Sequence, residues 1–294
     1  MKHKFIVVFC HSRATELDKC LTSLRNARGF SSWKLIVVQQ YGNHKVDKIL
    51  AKHRSITDTS IGVKPRYNSV LGNINNNRIL GMSMAFKEFN ADCVLGIEED
   101  NQISADALEF IDFISETYKN KRYFRGINLG SVEYGKNLNG GGYSLLRSGM
   151  YGSAGFLTRK TWFTLEKKGF LNFDFNDPRK PWDAIIEFYL KSGFMVTPNL
   201  SKNLDIGYGG AFSPKTPNDN FFISNKKSWI QSNKSRNLTY RHIQIPHHFK
   251  KDIVAYKGIL NLIYAARTNK IITGISQMIG IKRIISKMLI KYSK

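Results

Sequence analysis

Three short stretches of this sequence are apolar at almost every position instead of every second one: Lys4 to Cys10, Lys34 to Gln39, and Cys93 to Ile97. Runs of that kind predict strands buried on both faces, as in a parallel sheet covered by helices on either side. Between them the apolar spacing turns helical. After His11-Ser12-Arg13, Leu17, Cys20, Leu21 and Leu24 share one face, and a second helical segment lies around Val46 to His53. Strand, helix, strand, helix is the order of a parallel α/β sheet, because parallel strands need a long crossover between them. The expected fold class is therefore α/β, with a mixed, mainly parallel sheet flanked by helices.

Further along, Asn73, Asn75, Asn76 and Asn77 offer N-caps for a helix carried by Ile79, Leu80, Met82, Met84 and Phe86. Ser104 to Tyr118 reads as another helix, capped by Ser104, and a further one starts near Thr161. Pro181-Trp182-Asp183 opens a helix through Leu190, and Gly193 to Pro198 reads as a short late strand. The stretch from Gly130 to Tyr151 is rich in glycine; it reads equally as a segment that folds over a ligand and as a plain surface loop. Three cysteines, Cys10, Cys20 and Cys93, have spacings that match no zinc module and read as buried free thiols.

Lysine and arginine outnumber aspartate and glutamate by 45 to 22, a formal charge of +23. A field of that sign favours phosphate-rich partners: nucleic acid, anionic lipid, or a nucleotide-sugar with a charged acceptor. Much of the charge sits in the tail from Lys250 to Lys294, where ten basic residues face one acid, Asp252. The apolar residues of the tail, among them Ile271, Ile275, Met278, Ile285 and Met288, recur at helical spacing. Basic amphipathic helices of this type either lie on an anionic membrane or pack on the catalytic domain with a solvated basic face. No stretch reaches the roughly 18 apolar residues of a membrane span, which leads to an expectation of a cytoplasmic protein, peripheral on the inner membrane face if the tail docks there.

The feature with most chemistry in it is Glu98-Glu99-Asp100, three acids directly after the buried run ending at Ile97. Ligands of open α/β sheets bind beyond the carboxyl ends of strands. Carboxylates there are costly to desolvate unless a cation pairs with them, and a divalent metal bridging a diphosphate supplies that charge. At about 4 Å and an effective dielectric near 20, each charge pair is worth on the order of 4 kcal/mol. The competing reading is a solvated acidic turn. Arg13 and Arg78 are forked phosphate binders or else surface charges.

These motifs, in this order, resemble the Golgi N-acetylglucosaminyltransferases that start complex N-glycan branching and their protein O-mannose relatives. Ile97-Glu98-Glu99-Asp100 is similar to the acidic motif of that family, Gly152 to Trp162 to its glycine-tryptophan-leucine-threonine segment, Trp182-Asp183 to its tryptophan-aspartate pair, and Pro198 through Gly207 to a later run. The resemblance spans about residues 4 to 214 and implies a GT-A fold and an inverting, metal-dependent glycosyltransferase. It implies Asp100 as the ligand of Mn²⁺ or Mg²⁺, Glu98 and Glu99 as contacts to sugar and ribose, and Arg13 and Arg78 beside the nucleotide. Asp183 corresponds to the general base that deprotonates the acceptor hydroxyl; the competing reading is a helix N-terminal acid stabilised by the dipole.

Two departures bear on the donor. Gln40 stands where the family has an aspartate that reads uracil, and Glu99 replaces an aspartate; both weaken UDP-N-acetylglucosamine as the donor and leave base and sugar open, with a UDP-sugar still favoured by the resemblance. The expected organisation is a catalytic domain over 1–214, with a nucleotide-sugar half to about 103 and an acceptor half from about 104, followed by a basic helical extension over 215–294. The family's N-terminal membrane anchor has no counterpart, which points to a bacterial-type enzyme acting on a glycan acceptor, lipid-linked, in surface polysaccharide synthesis. The other classes weighed are a nucleic-acid-binding protein, for which no binding module is present, and a sugar nucleotidyltransferase. The latter would carry a glycine-rich loop after the first strand, where His11-Ser12-Arg13-Ala14-Thr15 stands instead. No nucleic-acid partner is expected.

Overall fold

In a computed structural model of the chain, the first two apolar runs form β1 (Lys4–Cys10) and β2 (Lys34–Gln40), separated by α1 (Ala14–Asn26). Helix α1 buries Leu17, Cys20, Leu21 and Leu24, the face its spacing predicts. The structure describes residues 1–130, 142–146, 154–172, 182, 186, 189, 193–207 and 226–230, all within one compact unit, Met1–Lys250. After β2 come α2 (His44–Lys52), capped by the Asn43 side chain, and an unanticipated strand β3 (Thr59–Val63). It escaped the sequence reading because its burial is only partial along its length, with no continuous apolar run.

Helix α3 (Val70–Ser83) corrects the expected cap. Ser69 accepts from the Gly72 amide at its N-terminus, and the asparagines lie inside the helix, Asn73, Asn75 and Asn77 all buried. Asn73 explains its own place: its oxygen accepts from the Arg66 and Tyr67 amides and its nitrogen donates to the Tyr67 and Ser69 carbonyls. A π turn, Met84–Glu88, continues α3 and leads to β4 (Cys93–Glu98).

The chain then departs again from expectation. Residues Asn101–Ile103 form a short strand, β5, and helix α4 begins at Ala107 and ends at Tyr118, so Ser104 is not its cap; the Ser104 hydroxyl donates to Asp106 instead. Strands β6 (Phe124–Asn128), β7 (Tyr143–Leu146) and β8 (Ala154–Thr158) follow. β7 shows that part of the glycine-rich stretch is sheet and not loop; the rest of that stretch lies outside the described residues. Helix α5 (Arg159–Lys167) is capped by Thr158, two residues earlier than expected, and β9 (Phe194–Pro198) is the predicted late strand. β10 (Asn203–Asp205) pairs antiparallel with β5 in a sheet of their own.

The main sheet has eight strands in the order β3-β2-β1-β4-β8-β6-β9-β7. β3, β2, β1 and β4 are mutually parallel, β6 and β9 are parallel, and the remaining pairings are antiparallel. The α/β expectation thus holds, with strands from both sides of residue 103 in one sheet. Two cores flank it. Ile6, Val8, Leu35 and Val37 pack with α1 and α4 on one face, while Phe5, Val7, Ile36 and Val38 pack with α3 and α5 on the other. The alternation within β1 accounts for its continuous apolar run: each face needs its own set. Cys10, Cys20 and Cys93 are free and buried, as read, and burial pushes the Cys93 thiol up to about 12. Among the described residues no helix is long and apolar enough to cross a membrane. The expected boundary at 214/215 and the basic tail lie outside the described residues.

Candidate functional site

β1 is flanked by β2 on one side and β4 on the other, so successive crossovers leave it in opposite directions. That is the topological switch point of a doubly wound sheet, where two loops diverge and leave a crevice at the carboxyl edge. The register places Phe9 opposite Glu98, so the loop His11-Ser12-Arg13 and the acids Glu98-Glu99-Asp100 leave the same edge side by side.

Each of the three acids has a different environment. Glu99 is buried, and its carboxylate accepts from the backbone amides of His11 (3.0 Å), Ser12 (3.2 Å) and Arg13 (3.2 Å). Burial raises its pKa, and the three amide donors oppose that rise. Glu98 pairs with Arg78, whose guanidinium lies 4.5 Å from the Trp182 ring centroid and 5.7 Å from that of Phe9. Asp100 faces Arg13, Nη1 to Oδ2 at 2.5 Å, with side chains 13% and 27% exposed respectively. Its other oxygen accepts from Asn101 Nδ2 at 2.9 Å. Burial raises the Asp100 pKa and the Arg13 guanidinium pulls it back.

A fourth carboxylate joins them. Asp205, on β10, pairs in register with Asn101 and so stands next to Asp100. Burial, then the Asp100 charge, push its pKa up to about 6, while the Gly207 amide donates to it at 2.8 Å. The Ile206 amide donates to the Asp100 carbonyl, and the Gly207 backbone lies so close to the Asp100 and Arg13 side chains that a Cβ there would collide with both. Behind the pair, Asn203 Nδ2 donates to Asn101 Oδ1 at 2.6 Å, and the buried Lys202–Asp106 ion pair (2.6 Å) ties β10 to the start of α4. Sequence reading named none of Asp205, Asn101, Asn203, Asp106 or Lys202 as site residues. A three-residue strand has no detectable period, and only the β5–β10 register brings Asp205 to Asp100.

Of the other expected residues, Gln40 ends β2 at the same sheet edge, two strands from Asp100. Arg78 is 1% exposed and sits in the third turn of α3, so the surface-charge reading does not apply to it. Asp183 lies outside the described residues. Its neighbour Trp182 is buried against Arg78, and the Trp182 amide donates to Asn75 at 3.1 Å. Among the described residues no three His, Cys, Asp or Glu side chains are disposed to hold a metal ion by themselves.

No protein-family model matches the sequence, and no curated protein matches it. Among solved structures, TarS of S. aureus shares 10% identity over 66% of this chain and 35% of its own, with a TM-score of 0.45. Its 1–349 fragment, also at 10% identity, covers 90% of this chain and 79% of its own at 0.48. The mannosyltransferase PcManGT of Pyrobaculum calidifontis, solved with GDP-Man and Mn²⁺, has 10% identity over 57% and 46%, at 0.40. A cytidylyltransferase of Leptospira borgpetersenii has 13% identity over 57% and 65%, at 0.35. The chain therefore spans about a third of the length of the whole TarS chain and under half that of PcManGT.

Proposed function

We propose that this chain is a GT-A-type glycosyltransferase that moves a sugar from a nucleoside-diphosphate donor to a glycan acceptor, with inversion, using a divalent cation. One observation carries the reading: Asp100 is part-buried at the switch-point edge beside Arg13, with a second part-buried carboxylate, Asp205, against it. A solvated acidic turn would not draw two carboxylates partly out of water side by side, because like charges oppose each other more strongly as solvent is withdrawn.

The donor set suits Mg²⁺ or Mn²⁺. Both acids offer hard oxygen ligands, and such cations are commonly held by one or two carboxylates with substrate phosphates completing the shell, not by an all-protein cage. Asp100, with Asp205 beside it, would hold the ion, which when bound acts as a Lewis acid on the leaving phosphate. Arg13 presents a guanidinium to the diphosphate. Glu99 fixes the backbone that carries Arg13. Gln40 offers an amide to the base, so a UDP-sugar fits without being required. Asp183 is assigned the acceptor side: its carboxylate takes the hydroxyl proton as the oxygen attacks the anomeric carbon. The acceptor that fits the basic chain is an anionic or lipid-linked glycan.

The test is a thermal-shift panel of UDP- and GDP-sugars with and without MnCl2. A bound donor at about 100 times its Kd adds roughly 2.7 kcal/mol to stability, several degrees in midpoint. Asp100→Asn is expected to abolish the Mn²⁺-dependent part of that shift while leaving the unliganded protein folded. Absence of any nucleotide-dependent shift, with every metal supplied, would overturn the reading.

A further inference from the structure

Arg13 and Asp100 satisfy one another before any ligand arrives. The guanidinium sits on Oδ2 of Asp100, the oxygen not already bonded to Asn101. Its backbone cannot follow a ligand: the Arg13 amide donates to Glu99 and its carbonyl accepts from Leu17 at 2.9 Å in the first turn of α1. The Gly207 backbone closes the space beside both side chains. A cation that takes Oδ2 must therefore displace the guanidinium, and the displaced group can move only as a side chain. Charge points the same way. Arg78, which also acts on Asp100, is paired with Glu98, so Arg13 alone stands against the two carboxylates Asp100 and Asp205; a divalent ion would balance both and leave Arg13 with no counter-ion in a part-buried place. A diphosphate supplies that counter-ion.

We infer that Arg13 is a place-holder for the cation: it occupies the ligand oxygen of Asp100 until the ion enters and is then handed to the donor's diphosphate. This rests on the donor reading of the same site. Its signature is a pair of effects of opposite sign. Removing Arg13 frees Oδ2, so the ion alone binds more tightly, while the nucleotide loses its guanidinium and binds more weakly. Linkage between two ligands typically amounts to a factor of about 5–150, and part of it here would vanish with Arg13.

Isothermal titration calorimetry on the full chain separates the two effects, using MnCl2 alone and then UDP at saturating MnCl2. For Arg13→Gln the expected result is about tenfold tighter Mn²⁺ binding in the absence of UDP, with UDP binding weakened about tenfold. A merely structural role would weaken both, so any other combination of signs overturns the inference. If Arg13→Gln fails to fold, Arg13→Met carries the same test with the same signs, since it keeps an unbranched stem and removes the charge. Failure of wild type to bind UDP or GDP with any metal would instead strike the donor reading. The Mn²⁺ arm would still read the place-holder directly, unchanged or weaker binding to the variant overturning it.

Discussion

At the scale of single residues, four neighbouring carboxylates show how surroundings divide one chemical group into separate roles. Glu99 is spent on three amides, Glu98 on a buried arginine, Asp100 on an arginine that can move, and Asp205 on one amide. The run Glu98-Glu99-Asp100 was legible as a site from its place after a buried strand. The division of labour was not, because it depends on which backbone amides and arginines the fold brings within reach. Asp205 carries a pH consequence. Its folded pKa of about 6 lies above the ordinary aspartate value of 3.8, so the stability it allows is intact below about pH 4 and is lost as pH rises through 6. Asp205→Asn should therefore stabilise the unliganded protein at pH 7.5 by roughly 1–3 kcal/mol and flatten the fall between pH 4 and 6. Denaturant titrations at a series of pH values would measure it; an unchanged slope would contradict the assignment.

Among elements, legibility followed burial. β1, β2, β4 and β9 announce themselves because strands covered on both faces must be apolar throughout, and α1 because its four core residues sit on one stripe. β3, β5 and β10 were missed for physical reasons: one is only partly buried, and the others are three residues long and defined by pairing. Helix α3 was shifted because asparagine signals a cap only when it is exposed at an end; here the Asn73 and Asn75 side chains bond inside the protein. The same helix carries Gly81, which lets it lie against the sheet. A Cβ there would come within 2.7 Å of Val38 and 2.9 Å of Val7. Glycine to alanine in an open helix gains up to about 1 kcal/mol. At Gly81 overpacking against two branched side chains is expected to reverse the sign, destabilising by about 1–3 kcal/mol. Chemical denaturation of Gly81→Ala decides it, since a gain in stability would mean that the helix lifts off without cost.

For the molecule as a whole, the α/β class followed from the order of strands and helices alone, while the antiparallel insertion of β8 between β4 and β6 did not, since nothing local encodes which strand a segment joins. The charge of +23 is likewise a whole-chain property, concentrated toward a C-terminal segment whose apolar residues recur at helical spacing. Near an anionic surface each Lys or Arg contributes about 1 kcal/mol, falling off within a Debye length. Deleting residues 270–294 is expected to release the protein from vesicles rich in phosphatidylglycerol, read by co-sedimentation at 0.1 M salt; equal binding by the shortened chain would remove the tail from that role. One detail at the sheet edge reaches across these scales. Because a single carboxylate gathers the amides of three consecutive loop residues, the main chain there is set before anything arrives, and a visitor need only reorder side chains. A rim set in this way spares an entering guest the conformational entropy of ordering three residues of main chain.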